Sequence, residues 1–286
     1  MPTGLRTRDA ARDATLELRR AGVPEPEASA EVLLSELLDV RRGEIPFYDR
    51  PLKEEQARLY AVWISRRAQR EPVQRILGRA YFRRLVLELN EETLIPRPDT
   101  ESVVDVALEC LDARGGRGVV LDVGTGSGAI AISMAHERPN ATVHATDFSD
   151  IALDAARSNA EKNDTPVRFH RADLFDGLGF LQGKVGLLVS NPPYVETETV
   201  GDLAPEVGRW DPLAALDGGP DGLCFYRRIF AEAPPLLKQE ADVVLEVGDG
   251  QGEAVLEIGD TAGFVALGLR NDLAGTPRAA LLRWEG

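Results

Sequence analysis

The sequence contains few of the residues that bind metals or form disulfides. Among 286 residues there are two cysteines, Cys110 and Cys224, and three histidines, His136, His144 and His170. The cysteines lie far apart without a Cys-x-x-Cys spacing, and the histidines form no ligand-like cluster. We therefore expect reduced thiols and no bound metal.

An excess of positive charge and long apolar runs are also missing. No segment approaches about 18 consecutive apolar residues, and the N-terminal MPTGLRTRDAARD lacks the apolar stretch of a signal peptide. The 47 acidic residues outnumber the 33 basic residues, which gives a formal net charge of −14. This charge opposes binding to DNA and to anionic membrane surfaces. We expect a cytoplasmic protein without a membrane partner and without direct contact to nucleic acid.

The first part of the chain is typical of a small helical domain. Apolar residues recur at helical spacing in the segments 27–38 and 53–70, and prolines separate these segments. Residues 1–75 are therefore predicted to form an all-helical N-terminal domain.

A different pattern follows in residues 76–97. Short β-like runs at 81–89 and 93–95 predict a hairpin-like connector. Asp99 or Thr100 is then expected to cap the next helix at its N-terminus. From residue 98 to the end, strand and helix patterns alternate, which predicts an α/β domain with a doubly wound, mostly parallel sheet.

A glycine-rich loop follows the first strand of this α/β domain. Its glycines allow backbone amides to approach a bound group closely. The candidate cofactor-binding residues of the loop are Asp122, Gly124, Thr125, Gly126, Ser127 and Gly128. Asp147, at the end of the next strand, is placed to bind vicinal ribose hydroxyls, and helix capping is its alternative role.

The loop spacing alone leaves two cofactor chemistries open. Gly124, Gly126 and Ala129 also satisfy the relaxed G-x-G-x-x-G/A pattern of dinucleotide enzymes, so a dehydrogenase remains an alternative at this step. No residue resembles a hydride-transfer acid or base, however. Asp122 could hold an amino group, which a sulfonium amino acid supplies and a pyrophosphate does not. Its alternative role is to cap the loop.

The segment Ser190-Asn191-Pro192-Pro193-Tyr194 comes directly after a buried apolar run. Asn191 should face the crevice where open α/β sheets bind ligands. The two prolines restrict the backbone and leave carbonyl acceptors free, while Tyr194 offers a flat ring. Acceptors beside an aromatic face suit a planar N–H₂ group, although Pro-Pro alone is also typical of an ordinary turn.

Together these motifs resemble the class I methyltransferases that use S-adenosyl-L-methionine. The resemblance implies a Rossmann-like catalytic domain in residues 98–286. It also implies that the glycine loop holds the methionine and ribose parts and that Asp147 binds the ribose. Asp173 and Leu174 would flank the adenine, and Asn191 would adjoin the methyl group.

Further motifs resemble the HemK/PrmC family, the release-factor glutamine methyltransferases, and this resemblance covers nearly the whole chain. The motifs are Glu71 to Gly78, Leu94 to Glu101, Asp211 to Gly219 with Asp221 to Leu223, and Leu245 to Gly248 with Gln251. The family's fold, a helical N-terminal domain and a class I catalytic domain, agrees with the organisation predicted above. The helical domain would then dock the substrate.

The resemblance implies methylation of the glutamine amide nitrogen in the Gly-Gly-Gln motif of peptide chain release factors. Asn191 Oδ1 and the Pro192 carbonyl would each accept an amide hydrogen, while Pro193 and Tyr194 pack against the planar group. Asn191, Pro192 and Tyr194 are the candidate catalytic residues, and Arg97 is a further candidate for substrate contact. The expected partner is a release factor, and we expect a monomer.

Four residues depart from the family pattern. Val185-Gly186 replaces an aromatic-Asp pair, Leu174 replaces an aromatic residue, and Arg84 replaces a glycine. The Arg83-Arg84 pair lies where the protein substrate should dock, so other amide acceptors remain an alternative. A DNA adenine methyltransferase is a further alternative, which the acidic charge disfavours. A cofactor-binding protein without turnover is the non-enzymatic alternative.

Overall fold

The computed structural model describes residues 5–286. The helices are α1 (Thr7–Arg20), α2 (Pro26–Leu38), α3 (Glu54–Ala68), α4 (Val73–Leu77), α5 (Pro98–Asp112), α6 (Ala129–Glu137), α7 (Asp150–Lys162), α8 (Pro205–Gly208), α9 (Cys224–Glu232) and α10 (Gly252–Thr261). The strands are β1 (Arg79–Phe82), β2 (Leu85–Glu88), β3 (Gly118–Val123), β4 (Ala141–Asp147), β5 (Arg168–Arg171), β6 (Val185–Ser190), β7 (Leu237–Glu246), β8 (Phe264–Asn271) and β9 (Pro277–Trp284).

The chain divides into two compact units. The smaller unit contains the residues up to Gly78 together with the segment Ala204–Trp210, and the larger unit contains Arg79–Leu203 and Asp211–Gly286. The hairpin of β1 and β2, which the sequence analysis assigned to a separate connector, lies in the larger unit. The segment Ala204–Trp210 lies in the smaller unit, although its sequence did not predict this.

The smaller unit has its own apolar core between α1, α2 and α3. Leu18, Leu33 and Leu34 are fully buried there, and the hydroxyl of buried Tyr60 donates to the Ala30 carbonyl at 2.9 Å. Burial of such side chains is the main source of stability for a small helical domain. The helical character predicted for the N-terminal residues is confirmed.

An ion-pair cluster holds the segment Ala204–Trp210 within the smaller unit. Glu206 accepts hydrogen bonds from Arg67 at 3.0 Å and from Arg70 at 2.7 Å. Burial alone would raise the pKa of Glu206, but the hydrogen bonds from Arg70 and Arg67 lower it to about 2. These contacts join residues that lie more than 130 positions apart in sequence, so only the folded chain reveals them.

The larger unit is built on a seven-stranded sheet in the order β5-β4-β3-β6-β7-β9-β8. Neighbouring strands from β5 to β7 are parallel, and β9 runs antiparallel to both β7 and β8. The prediction of a doubly wound, mostly parallel sheet is therefore confirmed. Because the carboxyl ends of β3, β4, β6 and β7 meet at one edge, the loops that follow them are brought together.

Two local predictions before α5 are wrong. Residues 93–95 form no strand, because the Ile95 amide donates to the Asp211 side chain at 3.3 Å and not to a neighbouring strand. Neither Asp99 nor Thr100 caps α5, whose N-cap position is Arg97 without a side-chain hydrogen bond. The Thr100 hydroxyl donates to Glu246 at 2.6 Å, which is a contact over 146 positions of sequence.

Gly186 on β6, where the family pattern has an acidic residue, is covered by Lys238. A Cβ atom at position 186 would lie 2.9 Å from Lys238 Cε. The lysine stem thus occupies the space of the missing side chain, and the departure alters packing at this point of the sheet.

Arg83 has a structural role that its sequence context did not indicate. It lies in the turn between β1 and β2, and its side chain is only 14% exposed. Its guanidinium donates to Glu137 at 2.6 Å and to Asp105 at 2.7 Å, and its backbone amide donates to Glu101 at 3.0 Å. Arg83 therefore ties the hairpin to α5 and α6, and the effect of the Arg83-Arg84 pair on the choice of substrate stays a prediction.

Replacing Arg83 tests this structural role. Arg83→Ala should lower the free energy of unfolding by about 1–2 kcal/mol, because it leaves the Glu137 carboxylate, which is only 16% exposed, without its partner. Arg58→Ala is a matched control, since Arg58 is 77% exposed and pairs with Glu54 on one helix face, and it should change stability by less than about 0.5 kcal/mol. Chemical denaturation measures the free energy of unfolding of both variants. If Arg83→Ala destabilised the protein no more than Arg58→Ala, the structural role of Arg83 would be contradicted.

Candidate active site

A cavity opens at the edge of the sheet where β3, β4 and β6 end. Its empty volume is about 1060 Å³, including space open to solvent. The predicted site residues that line it are Arg97, Gly124, Thr125, Gly126, Ser127, Asp147, Asp173, Leu174, Asn191, Pro192 and Pro193. Three others, Asp122, Gly128 and Tyr194, lie behind its wall. The cavity therefore unites the cofactor motif with the Asn-Pro-Pro-Tyr motif.

The glycine loop is held in place by the neighbouring strand. The amides of Gly124 and Thr125 both donate to the Thr146 carbonyl, at 2.9 and 2.8 Å. Gly124 and Gly126 have φ values of 72° and 54°, a region that side chains disfavour. Gly128 allows close packing, because a Cβ there would lie 2.7 Å from the side chain of Ile132. The loop thus needs its glycines for backbone shape and for helix packing.

Asp122 supports the loop from inside the sheet. It is fully buried, and Oδ2 accepts hydrogen bonds from the Thr125 hydroxyl at 2.6 Å and from the Ala131 amide at 3.1 Å. Burial raises the pKa of Asp122 to about 7. Oδ1 has no hydrogen-bond partner among residues 5–286. These hydrogen bonds support the alternative role of Asp122, which is to cap the loop. Binding of a cofactor amino group by Asp122 stays a prediction.

Asp147 holds the glycine loop, whereas its alternative role of capping α7 belongs to Ser149, whose hydroxyl accepts from the Ala152 amide at 3.2 Å. The Asp147 carboxylate accepts hydrogen bonds from the Gly126 amide at 2.9 Å and from the Ser149 amide at 3.0 Å, and it lines the cavity. Burial raises the pKa of Asp147, although these backbone hydrogen bonds oppose the shift. A carboxylate oxygen has more than one acceptor position. Asp147 can therefore hold the loop and still accept hydrogen bonds from a ligand.

Among the cavity-lining residues, Phe148 was not predicted from the sequence. Phe148 lines the cavity and is 54% exposed. Leu174 lies in the same lining with a φ of 51°, and Asp173 is held by Arg228 at 3.0 Å. The signal available in the sequence was an aromatic residue directly after Asp147, the last residue of β4. These residues give the cavity an apolar wall beside a carboxylate.

Asn191 also lines the cavity and directly follows β6. Its Nδ2 donates to the Thr100 hydroxyl oxygen at 3.2 Å. Thr100 also lines the cavity, so a residue assigned to helix capping contributes to the site. The remaining side-chain acceptor of Asn191 is Oδ1, which is available to a bound group.

Tyr194 lies behind this wall and is fixed by the chain that follows β7. Its carbonyl accepts a hydrogen bond from Gln251 Nε2 at 2.9 Å, and Gln251 Oε1 accepts from the Gly248 amide at 3.1 Å. Burial raises the pKa of the Tyr194 hydroxyl to about 12. A Cβ at Gly248 would lie 3.0 Å from the tyrosine ring, so the ring packs directly against this backbone.

The segment Asp211 to Leu223 supports the same motif from the other side. Val195 pairs with Asp217 in a parallel bridge, in which Val195 N donates to Leu216 O at 2.9 Å and Gly218 N donates to Val195 O at 2.8 Å. A Cβ at Gly218 would lie 2.7 Å from Tyr194 Cα. This close approach of two backbones explains why the segment needs glycine there.

Arg97 lines the cavity and forms an ion pair with Asp211. Asp211 also accepts from the Ile95 amide and is fully buried as a side chain. Arg97 is thus held in the cavity wall by a buried carboxylate. Its contact with a substrate remains a prediction.

The residues present suit an adenosyl group that carries a sulfonium. Phe148 and Leu174 provide apolar surface for a flat base, and Asp147 provides acceptors for ribose hydroxyls. Gly124, Gly126 and Ser127 of the glycine loop line the same cavity, whereas Asp122 is fully buried outside this lining. The donor and acceptor set therefore fits S-adenosyl-L-methionine.

Comparisons with known proteins agree with this geometry. A release factor glutamine methyltransferase of Agrobacterium fabrum is 38% identical over 276 residues, which cover 94% of each chain. A protein of the same name from Streptomyces coelicolor is 39% identical over 272 residues, covering 94% of this chain and 95% of that one. The chain belongs to the release factor glutamine methyltransferase family.

Two segments of the chain also match models of domain families. Residues 9–78 match the PrmC N-terminal domain, and residues 99–206 match the methyltransferase small domain. A solved structure of the hMettl16 catalytic domain aligns with 83% of this chain and 84% of its own, with a TM-score of 0.55 and 16% identity. At that identity the likeness concerns the fold alone.

Other kinds of site are not found in the described part of this methyltransferase. Between residues 5 and 286, no group of three or more His, Cys, Asp or Glu side chains is arranged to hold a metal ion. In the same range, the helices are all too short or too polar to cross a membrane. Cys110 and Cys224 are both free thiols.

Asp147→Asn tests the assignment of the cofactor wall. The new Nδ2 cannot accept from the Gly126 amide, and the charged acceptor for the ribose is lost. We expect about 10- to 100-fold weaker binding of S-adenosylhomocysteine by isothermal titration calorimetry. Asp154→Asn is the control, since the Asp154 side chain is 75% exposed on α7, and it should bind as the original does. Unchanged affinity of Asp147→Asn would contradict the assignment.

Proposed function

We propose that this protein transfers a methyl group from S-adenosyl-L-methionine to the side-chain amide nitrogen of the glutamine in the Gly-Gly-Gln motif of a peptide chain release factor. The observation that carries this proposal is the position of Asn191. Asn191 and Pro192 line the same cavity as the glycine loop. The relatives named release factor glutamine methyltransferase support the same acceptor.

Orientation of the acceptor is the main task of the chain's residues. S-adenosyl-L-methionine supplies an electrophilic methyl group on a positively charged sulfur. An amide nitrogen is a weak nucleophile, because its lone pair is delocalised into the carbonyl group. Asn191 Oδ1 and the Pro192 carbonyl each accept one amide hydrogen and aim the nitrogen at the methyl carbon.

The rest of the motif limits the freedom of the acceptor. Pro193 lines the cavity, and Tyr194 behind it is fixed by Gln251 and by the neighbouring backbone. Rigid walls of this kind reduce the entropy that is lost when the planar amide is bound. No side chain that lines the cavity within residues 5–286 is suited to act as a strong general base for an amide.

The partners and location follow from the same proposal. The substrate is a release factor, and the protein acts as a monomer in the cytoplasm. Its net charge of −14 disfavours direct binding to nucleic acid. Methylation of a different amide acceptor is the competing proposal, which the substrate experiment below distinguishes.

The acceptor is tested by mass spectrometry of a release factor after incubation with the protein and S-adenosyl-L-methionine. One added methyl group on the glutamine of the Gly-Gly-Gln motif is expected. A release factor with asparagine in place of this glutamine is the control and should remain unmodified, because its shorter side chain does not reach the methyl carbon. Cofactor binding without modification of the glutamine would refute the proposed substrate.

Asn191→Ala tests the orienting role directly. Removal of one acceptor hydrogen bond in the transition state should lower kcat by about 100- to 1000-fold. Binding of S-adenosylhomocysteine should stay within about threefold, because the glycine loop and Asp147 are unchanged. Asn140→Ala, at an exposed loop position, is the control. A normal kcat in Asn191→Ala would exclude the orienting role.

A further inference from the structure

Glu246 is a buried acid beside the proposed acceptor site. It is the last residue of β7 and is 1% exposed. Strands β6 and β7 are parallel, and Ser190 lies opposite Leu245 in their register. Asn191 follows Ser190 in the chain, and Glu246 follows Leu245. The register therefore places the acid next to the residue that orients the acceptor.

Thr100 connects these two side chains. Its hydroxyl donates to Glu246 Oε2 at 2.6 Å and accepts from Asn191 Nδ2 at 3.2 Å. Thr100 is only 4% exposed, and Asn191 lines the cavity. The three side chains form one hydrogen-bonded network at the cavity wall.

The count of donors and acceptors fixes the orientation of the asparagine. An ionised carboxylate only accepts hydrogen bonds, so the Thr100 hydroxyl gives its single hydrogen to Glu246. Its oxygen can then only accept from Asn191, which turns Nδ2 toward Thr100 and leaves Oδ1 for the cavity. The two ends of an asparagine amide have nearly the same shape. The network, and not packing, therefore determines which end faces the ligand.

We propose that Glu246 and Thr100 are positioning residues that hold the Asn191 amide with Oδ1 toward the methyl acceptor. This inference rests on the proposed function, in which Oδ1 accepts a hydrogen from the substrate amide. If the side-chain amide of Asn191 turned by 180°, Nδ2 would face the amide nitrogen of the substrate. Two hydrogen-bond donors would then face each other, and no hydrogen bond could form. Glu246 thus controls the reaction through Asn191 without touching the substrate.

The charge of Glu246 makes this orientation dependent on pH. Burial raises the pKa of Glu246 to about 7, although the hydrogen bond from Thr100 and the charge of Arg278 on β9 oppose the shift. The other ionisable groups that face it are Asp99 on α5, Tyr226 on α9 and Tyr194.

A protonated Glu246 can donate to Thr100, which frees the threonine hydrogen for Asn191 Oδ1. Both orientations of the amide are then satisfied. The orientation is therefore fixed above pH about 7 and is lost as the pH falls through this value.

The test is the pH profile of kcat for release-factor methylation at saturating S-adenosyl-L-methionine. The original enzyme should lose about two- to fivefold in kcat as the pH falls through about 7 and should then level off, because both amide orientations are populated once Glu246 is protonated. Glu246→Gln cannot ionise, so this acid limb of the profile should disappear, and kcat above neutrality should be lower by about the same factor. Glu253→Gln, at an exposed position of α10, should keep the original profile. An acid limb that persists in Glu246→Gln would overturn the inference.

A second pair of variants keeps the test decisive if Glu246→Gln does not fold, which calorimetry with S-adenosylhomocysteine would reveal. Thr100→Val removes the hydroxyl that relays the orientation, so it should abolish the acid limb and lower kcat. Thr100→Ser keeps the hydroxyl and should keep the limb. A normal kcat and limb in Thr100→Val would overturn the inference. Absence of methyl transfer by the original enzyme would instead refute the proposed function.

Discussion

The parallel register of β3, β4, β6 and β7 is the constraint on which the rest of the structure depends. Backbone hydrogen bonds align Val123 with Thr146 on one side and with Ser190 on the other, and Ser190 with Leu245. The residues that follow these positions are the glycine loop, Asp147, Asn191 and Glu246. Since a slip by one residue would turn alternate side chains to the other face of the sheet, this ladder sets the chemistry of the cavity.

A second layer makes the acceptor wall rigid. The segment Asp211 to Leu223 pairs with the chain after Tyr194, and Gln251 joins the Tyr194 carbonyl to Gly248. These backbones approach so closely that Gly218 and Gly248 have no room for a side chain. Motifs that are scattered over the sequence thus share one physical purpose, which is to fix the Asn-Pro-Pro-Tyr backbone before a substrate arrives.

Buried carboxyl groups are used for structure as well as for chemistry. Asp122 braces the glycine loop, Asp211 holds Arg97 in the cavity wall, and Glu246 orders the network of Thr100 and Asn191. Burial of each group is costly unless hydrogen bonds satisfy it. Asp122 and Glu246 have pKa values raised to about 7 by burial. The site is therefore built from acids whose charge near neutral pH depends on their surroundings.

The sequence by itself determined the fold class, the glycine loop and the Asn-Pro-Pro-Tyr motif, because these depend on local periodicity and on glycine and proline at fixed spacing. It did not reveal the roles of Thr100, Arg83 or Glu206. Thr100 was expected to cap a helix, and Arg83 was expected to lie where the substrate docks, yet these residues and Glu206 contact residues distant in sequence. Only the tertiary structure decided these roles, since a side chain's hydrogen-bond partner depends on which elements pack beside it.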